Sequence, residues 1–110
     1  MTKVTIYRNK NNECVGFRAL GHSGYAQAGE DVVCAAISVL VINTLNAIET
    51  FTSGEVDVIS DEEKGLIDCK VTGQPDRDTQ LLLNAMILGL QMMADNKEYD
   101  QYIDLTFEEV

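Results

Sequence analysis

The sequence predicts an α+β protein, a two-layer sandwich in which one mostly antiparallel sheet carries two helices. Five short stretches alternate apolar and polar residues, as half-exposed β-strands do. Four of them form two pairs, each joined by a short turn rich in Asn, Asp, Glu or Gly. Two longer stretches are apolar at helical spacing. The order ββαββαβ, with hairpins and separate helices, is typical of this class.

The first half of the chain contains a hairpin and a helix. Residues 2–8 form a strand with Val4 and Ile6 on one face, and residues 13–20 return after an Asn-rich turn. Residues 21–30 contain three glycines and predict a loop. A helix follows from residue 32 to about 52, with Asp31 as its N-cap.

The second half repeats this order and adds a closing strand. Residues 55–60 and 66–72 predict a hairpin with an acidic turn at 61–65. Pro75 and Asp76 begin a helix that runs to about residue 94, and residues 102–108 alternate as an edge strand. Because both helices are apolar on several faces, one sheet cannot cover them, and we expect a homodimer that uses helix surfaces.

Length and charge limit the classes of function. A chain of 110 residues forms one domain, residues 1–110, and 45% hydrophobic residues can build a core. The net charge of −10 argues against direct nucleic-acid binding and suits a basic partner, although acidity can also serve solubility alone. The sequence suggests neither a membrane span nor a signal peptide, so we expect a cytoplasmic protein.

The three cysteines do not suggest a disulfide or a metal site. Cys14, Cys34 and Cys69 are far apart in the sequence, odd in number and without zinc spacing. With one histidine in the chain, a zinc site would need nearly every candidate ligand, so we expect no metal. The acidic turn matches no calcium loop. Cys14 and Cys69 fall in strands and are interpreted as packing residues.

His22 and Cys34 are the candidates for catalysis. His22 lies in the glycine-rich loop, and Cys34 is predicted in the first turn of a helix, whose dipole would stabilise a thiolate. Free N–H groups of that turn would also suit an oxyanion. Residue chemistry alone leaves the alternative open: Cys34 as a small core residue and His22 as a surface residue.

Two further residues have two possible roles each. Asp31 either orients the imidazole or caps the helix, and capping near Cys34 would disfavour the thiolate. Ser38 lies one turn after Cys34 and either supports the site or bonds back to a helix carbonyl.

A longer motif carries a resemblance to a known family. Residues 21–38 read GHSGYAQAGEDVVCAAIS. This segment resembles the signature of the Prp family of ribosomal-processing cysteine proteases: Gly-His, a glycine-bearing loop, Gly-x-Asp, two aliphatic residues, Cys-Ala and a Ser. Every position of that pattern is filled, and length, element order and acidic character are also similar.

The resemblance implies a His–Cys dyad, which falls on His22 and Cys34, and an α+β dimer. It also implies a mobile loop over the active site at about residues 21–30, which includes Gly21, Gly24, Tyr25 and Gly29. The implied substrate is the basic large-subunit ribosomal protein numbered twenty-seven, made in some bacteria with a short N-terminal extension. Cleavage would follow two aromatic residues and Ala, with no cofactor.

Two non-protease functions compete with this interpretation. A non-catalytic module that binds a ribosomal protein during assembly would keep the motif for its fold alone. A redox sensor would need a second cysteine near the first to resolve a sulfenic acid, and the sequence offers none close by.

Overall fold

The computed structural model describes residues 1–21 and 28–110. Five strands and two helices follow the predicted order. They are β1 (Thr2–Arg8), β2 (Cys14–Leu20), α1 (Ala28–Phe51), β3 (Glu55–Asp61), β4 (Leu66–Thr72), α2 (Arg77–Asp95) and β5 (Ile103–Glu109), with one 3-10 turn at Asp100–Tyr102 before β5.

The strands form one sheet in the order β3-β4-β2-β1-β5. All neighbours are antiparallel except β1 and β5, which are parallel. Alternate residues from adjacent strands meet on one face, as in the row Ile6, Phe17, Cys69 and Val58. Most of this face is buried under the helices, whereas Val58, on edge strand β3, remains 45% exposed. The predicted α+β class and mostly antiparallel sheet are confirmed.

Helix α1 begins earlier than predicted. Its described part starts at Ala28, so Asp31 lies within the helix and the prediction that Asp31 is the N-cap is wrong. Glu30 and Asp31 instead place negative charge in the first turn, where the helix dipole favours it.

Gly29 also lies in α1, which contradicts its prediction as a loop residue. A Cβ at this position would lie 2.7 Å from the Tyr102 ring, so a larger residue would displace the ring from its place against the helix. The glycine that indicated a loop is therefore a packing residue. Of the remaining predicted loop, residues 22–27 lie outside the described residues.

Helix α1 is long and apolar enough to cross a membrane by length and composition alone. The core helix of a globular protein passes the same test. Here the buried positions recur at helical spacing along one face, which packs on the sheet: Val33, Ile37, Val41, Thr44 and Ile48.

Helix α2 is fixed by polar contacts at its start. Asp76 is its N-cap, as the predicted start implied, and accepts hydrogen bonds from the Thr79 N–H at 2.9 Å and the Thr79 hydroxyl at 2.7 Å. These bonds hold the pKa of Asp76 below its ordinary value. One residue further, the Gln80 amide donates to the Cys14 carbonyl at 2.7 Å and accepts from the Cys14 N–H at 2.8 Å. These bonds attach α2 to the start of β2.

Candidate active site

Cys34 lies on α1 at a cavity of about 330 Å³ between the helix and the ends of four strands. Its side chain is half-buried, so the thiol reaches both the protein interior and the cavity. Most of the lining is apolar and comes from α1, β2 and β4, including Ala19, Ile37, Val41 and Leu66. A cavity of this kind can bind a side chain of a peptide next to the thiol.

Gly21, directly after β2, lies close to the Cys34 thiol. A Cβ built on Gly21 would lie 3.1 Å from Cys34 Sγ. Its N–H donates to the Gly65 carbonyl at 2.8 Å, which ties the end of β2 to the turn between β3 and β4. A larger residue here would press on the sulfur, which would have to shift by a few tenths of an ångström.

The β3–β4 turn forms one wall of the cavity, which sequence reasoning missed. Ser60, Asp61, Glu62 and Gly65 all line it. Asp61 also closes the turn, since its carboxylate accepts from the N–H groups of Glu63 and Lys64 at 3.0 and 3.3 Å. The sequence indicated only a solvated acidic turn, because its position beside Cys34 depends on β4 pairing with β2.

Cys34 does not lie in the first turn of its helix, as predicted. It is the seventh residue of Ala28–Phe51, and only the first four N–H groups of a helix lack a partner within it. The dipole effect also fades within the first turn. The predicted helix-start donors for an oxyanion are therefore wrong at this position.

Ser38 lines the same cavity as Cys34, which confirms that both lie on one face of α1. The Thr44 hydroxyl bonds back to the Leu40 carbonyl at 2.7 Å, as Thr52 does to Ile48. Among the described residues, no such bond is made by the Ser38 hydroxyl. Asp31, one turn before Cys34, is exposed on the helix surface.

The other two cysteines are core residues, as predicted. Both side chains are 1% exposed, Cys14 on β2 and Cys69 on β4. Burial raises the pKa of both thiols, that of Cys69 to about 12. A buried thiol with a raised pKa is a poor nucleophile. Cys34 is thus the one cysteine of the three that is not fully buried.

Three predicted site residues, His22, Gly24 and Tyr25, lie outside the described residues. Within residues 1–21 and 28–110, no group of three His, Cys, Asp or Glu side chains is arranged to hold a metal ion.

Comparison with known proteins decides the family. The family model described as cysteine protease Prp matches residues 1–104. The chain belongs to the Prp family of cysteine proteases. The predicted family and enzyme class are confirmed, and the chain is a cysteine protease rather than a non-catalytic module.

The relatives are similar over their whole length. The ribosomal processing cysteine protease Prp of Staphylococcus aureus is 30% identical over 108 residues, which cover 98% of this chain and 100% of that protein. A crystal structure of the S. aureus protease with a substrate peptide has a TM-score of 0.90 at 27% identity, covering 98% of this chain and 100% of the other. A second, with a covalently linked product peptide, has a TM-score of 0.86 at 28% identity and the same coverage.

Proposed function

We propose that this Prp-family protease is an endopeptidase that removes the N-terminal extension of the large-subunit ribosomal protein numbered twenty-seven, with His22 and Cys34 as its dyad. The observation that carries the proposal is the half-buried Cys34 thiol at the 330 Å³ cavity, next to Gly21. The S. aureus relative, named as a ribosomal processing protease, supports the substrate class.

The position of Gly21 supports the choice of base. His22 is bonded to Gly21, and a Cβ on Gly21 would lie 3.1 Å from the sulfur. The adjacency of the two residues in the sequence supports His22 as the proposed base for the Cys34 thiol. His22 is also the one histidine in the sequence.

The reaction is acyl transfer. The His22 imidazole accepts the Cys34 proton, and the thiolate attacks the scissile carbonyl carbon to form a C–S bond. When the C–N bond breaks, the imidazolium gives its proton to the leaving amine. Water, deprotonated by the imidazole, then attacks the thioester and releases the acid and the thiol. A covalently linked product peptide in the S. aureus protease is consistent with such an intermediate.

Ser38 and Asp31 are proposed as supporting residues. Ser38 shares the cavity with Cys34 and has its hydroxyl available for a hydrogen bond to the substrate or to the site. Asp31 places a carboxylate one helical turn before Cys34. Gly21, Gly24 and Tyr25 of the predicted loop are proposed as further residues of the peptide-binding site.

Peptide cleavage tests the dyad. Cys34→Ala and His22→Ala should each abolish hydrolysis of a peptide with two aromatic residues and Ala before the scissile bond, and Cys34→Ser should lose nearly all activity. Cys14→Ala is the matched control, since its thiol is buried, and it should retain activity. Circular dichroism checks the fold of each variant. Substantial activity in folded Cys34→Ala or His22→Ala would contradict the dyad.

We also propose a cytoplasmic homodimer formed through helix surfaces. On α2, the side chains of Leu81, Leu88 and Met92 are each 60% or more exposed at helical spacing. On α1, Val32 and Val39 are similarly exposed one heptad apart. Sedimentation at micromolar concentration should give about twice 12.1 kDa. A mass of 12.1 kDa at high concentration would contradict the dimer.

A further inference from the structure

A second cavity continues from the site of Cys34 along the molecule. It has a volume of about 620 Å³ and lies between α1 and β3. Ile42, Leu45 and Val58 line both this cavity and the cavity at Cys34. The two cavities therefore adjoin, and we name them together the α1–β3 groove, which has the Cys34 thiol at one end.

The groove exists because the helices leave the edge of the sheet uncovered. β3 is the edge strand of the sheet. Its helix-facing Val58 is 45% exposed, and Ile42, which lies opposite on α1, is 47% exposed. Four consecutive residues of β3 line the groove, and consecutive side chains of a strand point to opposite faces. The groove thus follows the free edge of the strand, where an extended peptide can lie.

The far end of the groove is acidic. Glu49 on α1 and Glu55 and Asp57 on β3 line it, and no Lys or Arg does so among the described residues. Lys70 lies opposite Asp57 in the ladder of β3 and β4, so it offsets the charge of that carboxylate. Glu49 and Glu55 therefore set the character of the end furthest from Cys34.

We propose that the α1–β3 groove binds the leaving-group side of the substrate and that Glu49 and Glu55 select a Lys or Arg there. This inference rests on the proposed function, because it takes Cys34 as the attacking atom. It adds a specificity site for a basic residue, remote from the scissile bond.

Helix and strand dimensions give the position of that residue. Cys34 and Glu49 are fifteen residues apart on one helix, which is about 22 Å at 1.5 Å per residue. Ser60, beside the thiol cavity, and Glu55 are five residues apart on β3, about 17 Å. An extended peptide advances about 3.3–3.6 Å per residue, so the basic residue lies roughly five to seven positions from the scissile bond.

The charge of the groove assigns it to the retained part of the substrate. Ribosomal proteins bind RNA phosphates through Lys and Arg, so the part that remains after processing is basic. For an N-terminal extension, that part follows the scissile bond. The apolar cavity at Cys34 is then left for the residues close to the bond.

Two pairs of peptides test the proposal. All share one cleavage sequence, and each pair carries either two Lys or two Gln, placed five to seven residues after the bond in one pair and before it in the other. The enzymes are the wild type, Glu49→Gln/Glu55→Gln, and the control Glu98→Gln/Glu108→Gln. The control removes the same charge from exposed positions outside the groove.

At low salt, the wild type and the control should cleave the peptide with Lys after the bond with a higher kcat/KM than its Gln counterpart. The expected difference is about two- to fivefold per groove carboxylate, and the groove variant should lose it. The proposal would be overturned if the groove variant kept the preference for Lys after the bond, or if the control lost it equally. It would also be overturned if Lys were preferred only before the bond. A mass of the groove variant that differs from that of the wild type in sedimentation would also overturn the proposal, because the groove would then be an interface between copies of the chain. Failure of the proposed function alone gives a different result. In that case no peptide would be cleaved, but the Cys34→Ala protein would still bind the Lys peptide more tightly than the Gln peptide in fluorescence anisotropy.

Discussion

Alkylation of the three cysteines separates a nucleophile from a core thiol without any knowledge of the substrate. Cys34 borders a cavity, whereas Cys14 and Cys69 are 1% exposed inside the sheet–helix core. If Cys34 is the nucleophile, it should be modified first and alone in the folded protein. His22→Ala should slow the reaction at Cys34, because the imidazole that accepts its proton is gone.

The expected difference follows from thiolate populations. Burial raises the pKa of Cys69 to about 12 from 9.0. At pH 8 about one Cys69 molecule in ten thousand is then a thiolate, against roughly one in ten for an unperturbed thiol. This thousandfold difference in thiolate population is in addition to any difference in access to the reagent. The pKa of Cys14 is raised by burial as well. Both core thiols should react only when the protein opens.

The assay is a time course with iodoacetamide at pH 8, read by intact mass and peptide mapping. Cys34→Ala should remove the fast phase, and denatured protein should be labelled at all three positions. Labelling of Cys14 or Cys69 in folded protein as fast as Cys34 would refute the burial argument. An unchanged Cys34 rate in folded His22→Ala under the same conditions would refute activation by the imidazole.

Three further predictions concern the residues around the site and the helices. Gly21→Ala should lower kcat by an order of magnitude or more with the fold intact in circular dichroism, because its Cβ meets Cys34 Sγ at 3.1 Å; wild-type kcat would contradict this. Gln80→Met leaves the Cys14 N–H and carbonyl without their hydrogen bonds to Gln80, and it should destabilise the protein by roughly 1–3 kcal/mol for each of these groups in urea unfolding. The control Gln91→Met changes an exposed glutamine, and equal stability of the two variants would refute the prediction. Asp76→Asn should lower Tm at pH 7, since the folded-state pKa of Asp76 is depressed and its contribution to stability is present above the unfolded-state pKa. That difference should vanish as pH falls through the folded-state pKa, and a constant difference down to low pH would contradict the assignment.

The strands and the second helix were predictable because their signals are local. The alternation of apolar and polar residues predicted β1 and β4 with their observed bounds and the other strands to within one residue at each end. Asp76 predicted the start of α2. The parallel pairing of β5 with β1 was not predictable, since alternation says which face a residue occupies but not which strand lies beside it.

The start of α1 was mispredicted for a tertiary reason. Gly29 lowers helix propensity and favours a loop in sequence, yet the Tyr102 ring occupies the space where a Cβ would stand. The same limit applies to the active site. The motif indicated Cys34 and Ser38, but the wall formed by Ser60–Gly65 and the groove beyond it depend on strand order, which the sequence does not contain.

The earlier helix start changes how the thiol is activated. With Cys34 in the second turn, its N–H is no longer among the free donors of the helix, and the dipole effect has largely faded. Asp61 and Glu62 line the same cavity as Cys34, and no Lys or Arg lines it among the described residues. That part of the chain therefore offers no cationic side chain at the cavity that could stabilise a thiolate. In the proposed mechanism the activation of Cys34 thus depends on its proton acceptor, His22, and not on the start of the helix.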